Sequence, residues 1–247
     1  MSRRTTALAT ALSLLALGSP LIAGCGAQRN FTEEVSNPTA DLSSEDTLAL
    51  NDEIAELTKL IETNPQDVVA YTNRGIAKGE LQDTQGAIAD FNKAIEINPQ
   101  YANAYNNRGI AKVKSGDAQG AIADYKKAIE INPQYALAYY NRGNAKDKLQ
   151  DYQGAIADYT KTIEINPQYP DAYNNRGNSK SNLNDYQGAI ADFTKATEIN
   201  PQNYGTYVNR GIAKENNGDL KGACADWKEA SSLGYKDAAG WVRDQCQ

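Results

Sequence analysis

Among its 247 residues the chain has no histidine, one methionine, two tryptophans and three cysteines. Without histidine there is no Ser-His or Cys-His dyad, and the usual transition-metal ligand is missing. The cysteines form no CxxC pair, the spacing typical of a catalytic thiol couple. No glycine-rich phosphate loop follows a strand pattern, and no apolar run is long and unbroken enough to be a comfortable transmembrane helix. Basic residues do not cluster: 25 Lys and Arg stand against 31 Asp and Glu, mixed along the chain, for a net charge of −6. Nucleic-acid binding needs a basic face, so a nucleic-acid partner is not expected. No catalytic residue, cofactor, metal ligand or small-molecule substrate is indicated.

What the chain has is repetition. Asn-Pro-Gln occurs at 64–66, 98–100, 132–134, 166–168 and 200–202, and Asn-Arg-Gly at 73–75, 107–109, 141–143, 175–177 and 209–211, always 34 residues apart. Such a period marks a solenoid whose units cannot bury their apolar faces alone. Five units follow, 68–101, 102–135, 136–169, 170–203 and 204–235. In the second, a helix is expected over about positions 1–14. Ser115-Gly116-Asp117 then breaks it, Gly116 suiting a left-handed residue and Asp117 a cap for the next helix. Ala121, Tyr125, Ala128 and Ile131 form one helical stripe, which Asn132-Pro133 ends. Gly109 and Ala121 are small where the pair must close up, and Tyr125 and Ala128 are left for the next unit.

Tyr at position 4 (Tyr71, Tyr105, Tyr139, Tyr173, Tyr207), Gly at 8, Ala at 20, an aromatic at 24, Ala at 27 and Pro at 32 together resemble the tetratricopeptide repeat, or TPR. The resemblance spans 68–235 and implies an all-α fold, a right-handed α-solenoid of five helix-turn-helix repeats with capping helices at both ends. The position 4 tyrosines are expected in the core between units. Three positions depart from the family: Arg at 7, Lys at 11, and Gly at 19, where an acid is common and whose absence is expected to weaken each second helix's cap. Position 23 is Asp throughout (Asp90, Asp124, Asp158, Asp192, Asp226), and a residue present in every unit reads as structural. These aspartates either pair with Arg74, Arg108, Arg142, Arg176 and Arg210 at the helix interface or stand separately solvated.

In TPR arrays the first helices line a concave groove. Position 6 here is Asn73, Asn107, Asn141, Asn175 and Asn209, joined by Asn106, Tyr140 and Asn174 at position 5 and by Asn144 and Asn178 at position 9. An amide both donates and accepts, so such a column can hold the main chain of an extended peptide whatever its side chains. The pattern resembles the asparagine ladder of peptide-holding TPR domains. The same column also follows from duplication of one unit. It does not resemble the carboxylate clamp of chaperone-tail receptors, since Thr72 and Ile76 occupy the positions concerned.

The ends carry their own signals. Residues 1–24 read as a signal peptide, and Leu21-Ile22-Ala23-Gly24-Cys25 resembles the bacterial lipobox, with Cys25 the lipidated residue; an ordinary secretory signal is the alternative. Two or three acyl chains hold firmly where one binds marginally. Residues 25–45 read as a tether spanning roughly 25 Å as a random coil. Leu50, Ile54, Leu57 and Ile61 make 46–65 an N-terminal capping helix, a repeat without its first half. Residues 236–247 give a C-terminal capping helix, where Ala238, Trp241, Val242 and Cys246 face the last repeat. In an oxidising compartment Cys224 and Cys246 are expected to form a disulfide; two buried reduced thiols are the alternative. The whole reads as an exported, membrane-tethered scaffold or assembly factor that binds a protein or extended peptide. A self-associating structural repeat protein of the cell envelope is the second reading, and an enzyme a distant third.

Overall fold

The computed structural model describes residues 43–246 as twelve helices joined by short turns, with no strand among them. Helix α1 (Ser44–Thr63) precedes five pairs: α2 (Val68–Glu80) with α3 (Thr84–Ile97), α4 (Ala102–Lys114) with α5 (Ala118–Ile131), α6 (Ala136–Lys148) with α7 (Tyr152–Ile165), α8 (Pro170–Asn182) with α9 (Tyr186–Ile199), and α10 (Tyr204–Asn216) with α11 (Leu220–Ser232). Helix α12 (Lys236–Gln245) closes the far end. Each helix packs on the next, and the first helices of successive pairs also touch one another, which is the α-solenoid expected of the repeat. Cys25 and most of the tether lie outside the described residues. Helix α1 begins earlier than the stripe of leucines implies, because Ser43 and Asp46 form a reciprocal capping box that turns the last tether residues into its first turn.

The recurrent tripeptide is a turn. In each Asn-Pro-Gln the Asn side-chain oxygen accepts from the Gln N–H at 2.9–3.3 Å, an Asx turn that joins one unit to the next. Within the units, Gly116 takes the left-handed conformation (φ +88°). The three pairs without glycine there use Gln82, Gln150 and Asn184 at φ 63–65°. The second helices are not weakly capped. Asp83, Asp117, Asp151, Asp185 and Asp219 each accept from the N–H of the glycine three residues on, at 2.8–3.0 Å. A side chain at that glycine would run into the capping carboxylate. Glycine at position 19 therefore makes room for an aspartate cap in place of a glutamate-based box.

Position 8 explains the aromatic at 24. A Cβ on Gly143 would lie 2.7 Å from Tyr159 Cε1, and Gly75, Gly109, Gly177 and Gly211 meet Phe91, Tyr125, Phe193 and Trp227 in the same way. Tyr125 is thus seated on its own unit's glycine before it meets the neighbour, whereas Ala128 packs with Ala138 of the next unit as expected.

The departures at positions 7 and 11 form a single device with position 23. Arg142 Nε and Nη2 donate to Asp158 at 2.9 and 2.6 Å, and Lys146 Nζ lies 2.8 Å from the same carboxylate. All five repeats repeat this, with each aspartate nearly buried. The paired reading of position 23 therefore holds, with Lys at 11 as a second cation. The arginine also lies over its own unit's position 4 tyrosine, 5.3–5.7 Å from the ring centre. That tyrosine is buried in the second and fourth repeats, where Tyr105 packs with Ala128 and with Ala138 of the next unit, and is part-exposed beneath its cation in the other three.

The same arginine reaches backwards. Its Nη1 donates to position 25 of the preceding unit: Arg74 to Thr58, Arg108 to Asn92, Arg176 to Thr160 and Arg210 to Thr194. For Arg142 of the third repeat that place is held by Lys126 of the second, which cannot accept. Lys126→Thr is expected to complete the pattern and stabilise the fold by about 0.5–1.5 kcal/mol. A urea midpoint equal to or below that of the parent would contradict this.

Candidate functional site

The first helices present positions 5, 6 and 9 towards the concave side, and their chemistry changes along the solenoid. In repeats one and two, position 9 is Ile76 and Ile110, both buried in a shared cluster with Phe91 and Tyr125. Asn106 and Asn107 are wholly buried beside them, and Asn141 is 3% exposed. Neither a peptide nor water reaches amides held so deeply, so these three are not the open ladder anticipated at positions 5 and 6. In repeats three and four, position 9 becomes Asn144 and Asn178, and the surface opens. A groove of about 820 Å³ runs across repeats three to five, lined by Tyr140, Tyr159, Tyr169, Asn144, Asn174, Asn175, Asn178, Asn203 and Asn209, with Asp147, Asp171 and Lys148. Asn73, in the first repeat, lies outside it.

The amide column bonds largely to itself. Asn141 Nδ2 donates to Asn106 Oδ1 at 3.1 Å, and Asn209 Nδ2 to Asn174 Oδ1 at 3.2 Å, so position 6 of one unit grips position 5 of the unit before. Asn174 donates to Asn175, which donates to both the Tyr140 hydroxyl and Asn144 Oδ1 at 3.0 Å. The Tyr159 hydroxyl donates to Asn144 Oδ1 at 2.8 Å. The column is therefore first a register lock between repeats. Position 9 shows where a ligand has access, and the change from Ile76 and Ile110 to Asn144 and Asn178 is the signal in the sequence that marks the opening. Lys at position 11, the second cation on each buried aspartate, is likewise visible as a fivefold recurrence.

Three tyrosines form the groove's firm wall. Tyr140 meets Tyr169 edge-on at 4.9 Å and Tyr159 at 5.9 Å between ring centres. Burial pushes the Tyr169 phenol up to about 12, with the nearby Asp171 charge adding to it. Burial also raises Tyr159 and, on the second-to-third repeat junction, Tyr135 well above the usual phenol range. A raised phenol binds its proton more tightly in the folded state, so its contribution is intact below pH 10 and is lost as pH climbs towards 12. Helicity by circular dichroism is expected to collapse within that window. Phenolate absorbance should rise in two stages, the late stage coinciding with unfolding; a single early stage with helicity intact would contradict the burial of these rings.

At the far end Cys224 and Cys246 are joined, their Cα atoms 5.6 Å apart, beneath a lid in which Trp227 and Trp241 meet edge-on at 5.7 Å. Among the described residues no cluster of His, Cys, Asp or Glu is arranged to hold a metal.

No curated protein sequence matches the chain. Solved structures do. A crystal structure of MamA is 27% identical, with a TM-score of 0.62, covering 67% of this chain and 96% of that one. MamA from Desulfovibrio magneticus RS-1 is 19% identical, with a TM-score of 0.63 over 67% of this chain and 94% of its own. YrrB, described as a TPR protein with an unusual peptide-binding site, is 22% identical, with a TM-score of 0.64 over 76% of this chain and 97% of its own. Models of the TPR repeat match 79–116 and 111–150, and the tetratricopeptide repeat model matches 136–169 and 170–203. Together these span half of the sequence, and the chain belongs to the tetratricopeptide repeat family.

Proposed function

We propose that this protein is a non-catalytic scaffold or assembly factor, exported and anchored to a bacterial membrane through lipid on Cys25, which holds an extended peptide of a partner protein in its concave groove. One observation carries the reading: the groove opens at repeats three to five, walled by rigid tyrosines and floored by amides. Asn178 has its whole amide available there, and Asn144 and Asn209 each keep part of theirs for a ligand main chain. The solenoid is a protein-interaction fold, and YrrB, of the same architecture, is described by its peptide-binding site. Among the described residues no helix is long and apolar enough to cross a membrane. Helices α1 and α12 cover both ends of the stack, which favours a groove binder over end-to-end self-association.

The test places a photocrosslinking residue at Asn178 in the groove or at Lys195 on the second helix of the same repeat, in cells. A distinct partner captured from Asn178 alone supports the reading, and equal capture from both places removes it. Cys25→Ser should release the chain from membranes into the soluble fraction; retention would remove the lipid anchor.

A further inference from the structure

The groove's charge is not balanced. Asp147 and Asp171 line it against a single basic residue, Lys148, on an exposed edge of α6. Asp147 accepts from the buried Ser179 hydroxyl at 2.6 Å, which fixes that carboxylate within the wall. Asp171 stands in the first turn of α8 on the exposed rim of the groove, where partial desolvation raises its carboxyl and no cation pairs with it. In every repeat the aspartate at position 23, buried at the interface of the helix pair, already carries two cations. Asp171 has none.

The aromatic wall lies beside these acids. Tyr169 feels the charge of Asp171, and Tyr159 that of Asp147, while Tyr140 touches both rings. A carboxylate next to an aromatic face is the arrangement that receives an ammonium or guanidinium group on an aliphatic stem: the ring covers the stem and the acid meets the head. A carboxylate on the ligand would meet like charge, and an apolar side chain would leave Asp171 desolvated and unpaired.

Resting on the peptide-groove reading, we propose that the groove selects a segment carrying a lysine or arginine, its head group against Asp171 and its stem over Tyr169. The amides of Asn144 and Asn178 hold the main chain on either side of this residue, so charge sets which segment binds and the amides set only that it be extended.

The test uses the full-length chain and synthetic extended peptides of alternating serine and alanine, with lysine, arginine, norleucine or glutamate at the centre. Fluorescence anisotropy should show lysine and arginine peptides binding roughly 10-fold tighter than the norleucine peptide, and glutamate weakest. Asp171→Asn should shrink that preference, as should raising the salt concentration. Equal binding of lysine and norleucine peptides, or a preference for glutamate, overturns the selection while leaving a peptide groove in place. Failure of all four peptides to bind overturns the selection and the peptide-groove reading together.

Discussion

Asp158→Ala is expected to lower the free energy of unfolding by about 3–5 kcal/mol. The carboxylate is 4% exposed and holds both Arg142, at 2.6 and 2.9 Å, and Lys146, at 2.8 Å. Removing it leaves two cations in a partly buried helix interface with no counter-charge, which costs more than the net value of the pair itself. Arg142 also covers the Tyr139 ring, so freeing the guanidinium loosens the aromatic beneath it. The position magnifies the loss. In a solenoid each repeat is stabilised by its neighbours, and the third repeat sits between two on either side. The complementary variant, with Arg142→Met, Lys146→Met and Asp158→Leu together, should recover most of the loss, because an apolar replacement needs no charge compensation. Urea unfolding followed by circular dichroism measures both. A loss below about 1 kcal/mol for Asp158→Ala would mean that the three charges are effectively solvated and that the position 7, 11 and 23 pattern is not what binds the helix pair.

Period and turns were legible because they are local. Asn-Pro-Gln fixes where one unit ends, and Asp at position 16 fixes where the second helix begins, so helix bounds followed within a few residues. Pairing of Arg142 with Asp158 was available from recurrence at fixed separation. The role of Lys146 is not local, since it depends on positions 7 and 11, one helical turn apart, facing the same carboxylate. The asparagine column was the harder case. Its residues do lie along the concave face, but whether an amide meets a ligand or its neighbour depends on the rotation between successive units, a property of packing and not of any one repeat. That rotation brings Asn141 onto Asn106 and Asn209 onto Asn174. Ile76 and Ile110 against Asn144 and Asn178 tell closed groove from open, and they stand at a position where the repeats differ and not where they recur. Likewise the aromatic at 24 reads from sequence as meeting the next unit, because its near-contact with glycine at position 8 depends on the angle within the helix pair.

Breaking the Cys224–Cys246 link, by Cys224→Ser with Cys246→Ser or by reductant, is expected to remove about 3 kcal/mol, the chain-entropy value for a loop of this length, from one end of the molecule only. The bond, between residues 22 apart, ties α12 to the last repeat. Beneath it Trp227, Ala230, Tyr235, Ala238, Trp241 and Val242 form a cluster that touches the rest of the chain through α10 and α11. Solenoid ends have one neighbour where inner repeats have two, so the released end should open before the middle does. The chain offers an internal reporter for this: both of its tryptophans, Trp227 and Trp241, lie in this cluster, while helical signal comes from all twelve helices among the described residues. With the bond intact, tryptophan fluorescence and circular dichroism should report one common urea transition. Without it, fluorescence should move to lower urea and separate from the helical transition, and hydrogen exchange should quicken over 204–246 before it changes over 102–135. Coincident transitions in the bond-free chain would show that the lid is held by its apolar contacts alone, and that Trp227 seated on Gly211 is anchor enough for the last repeat.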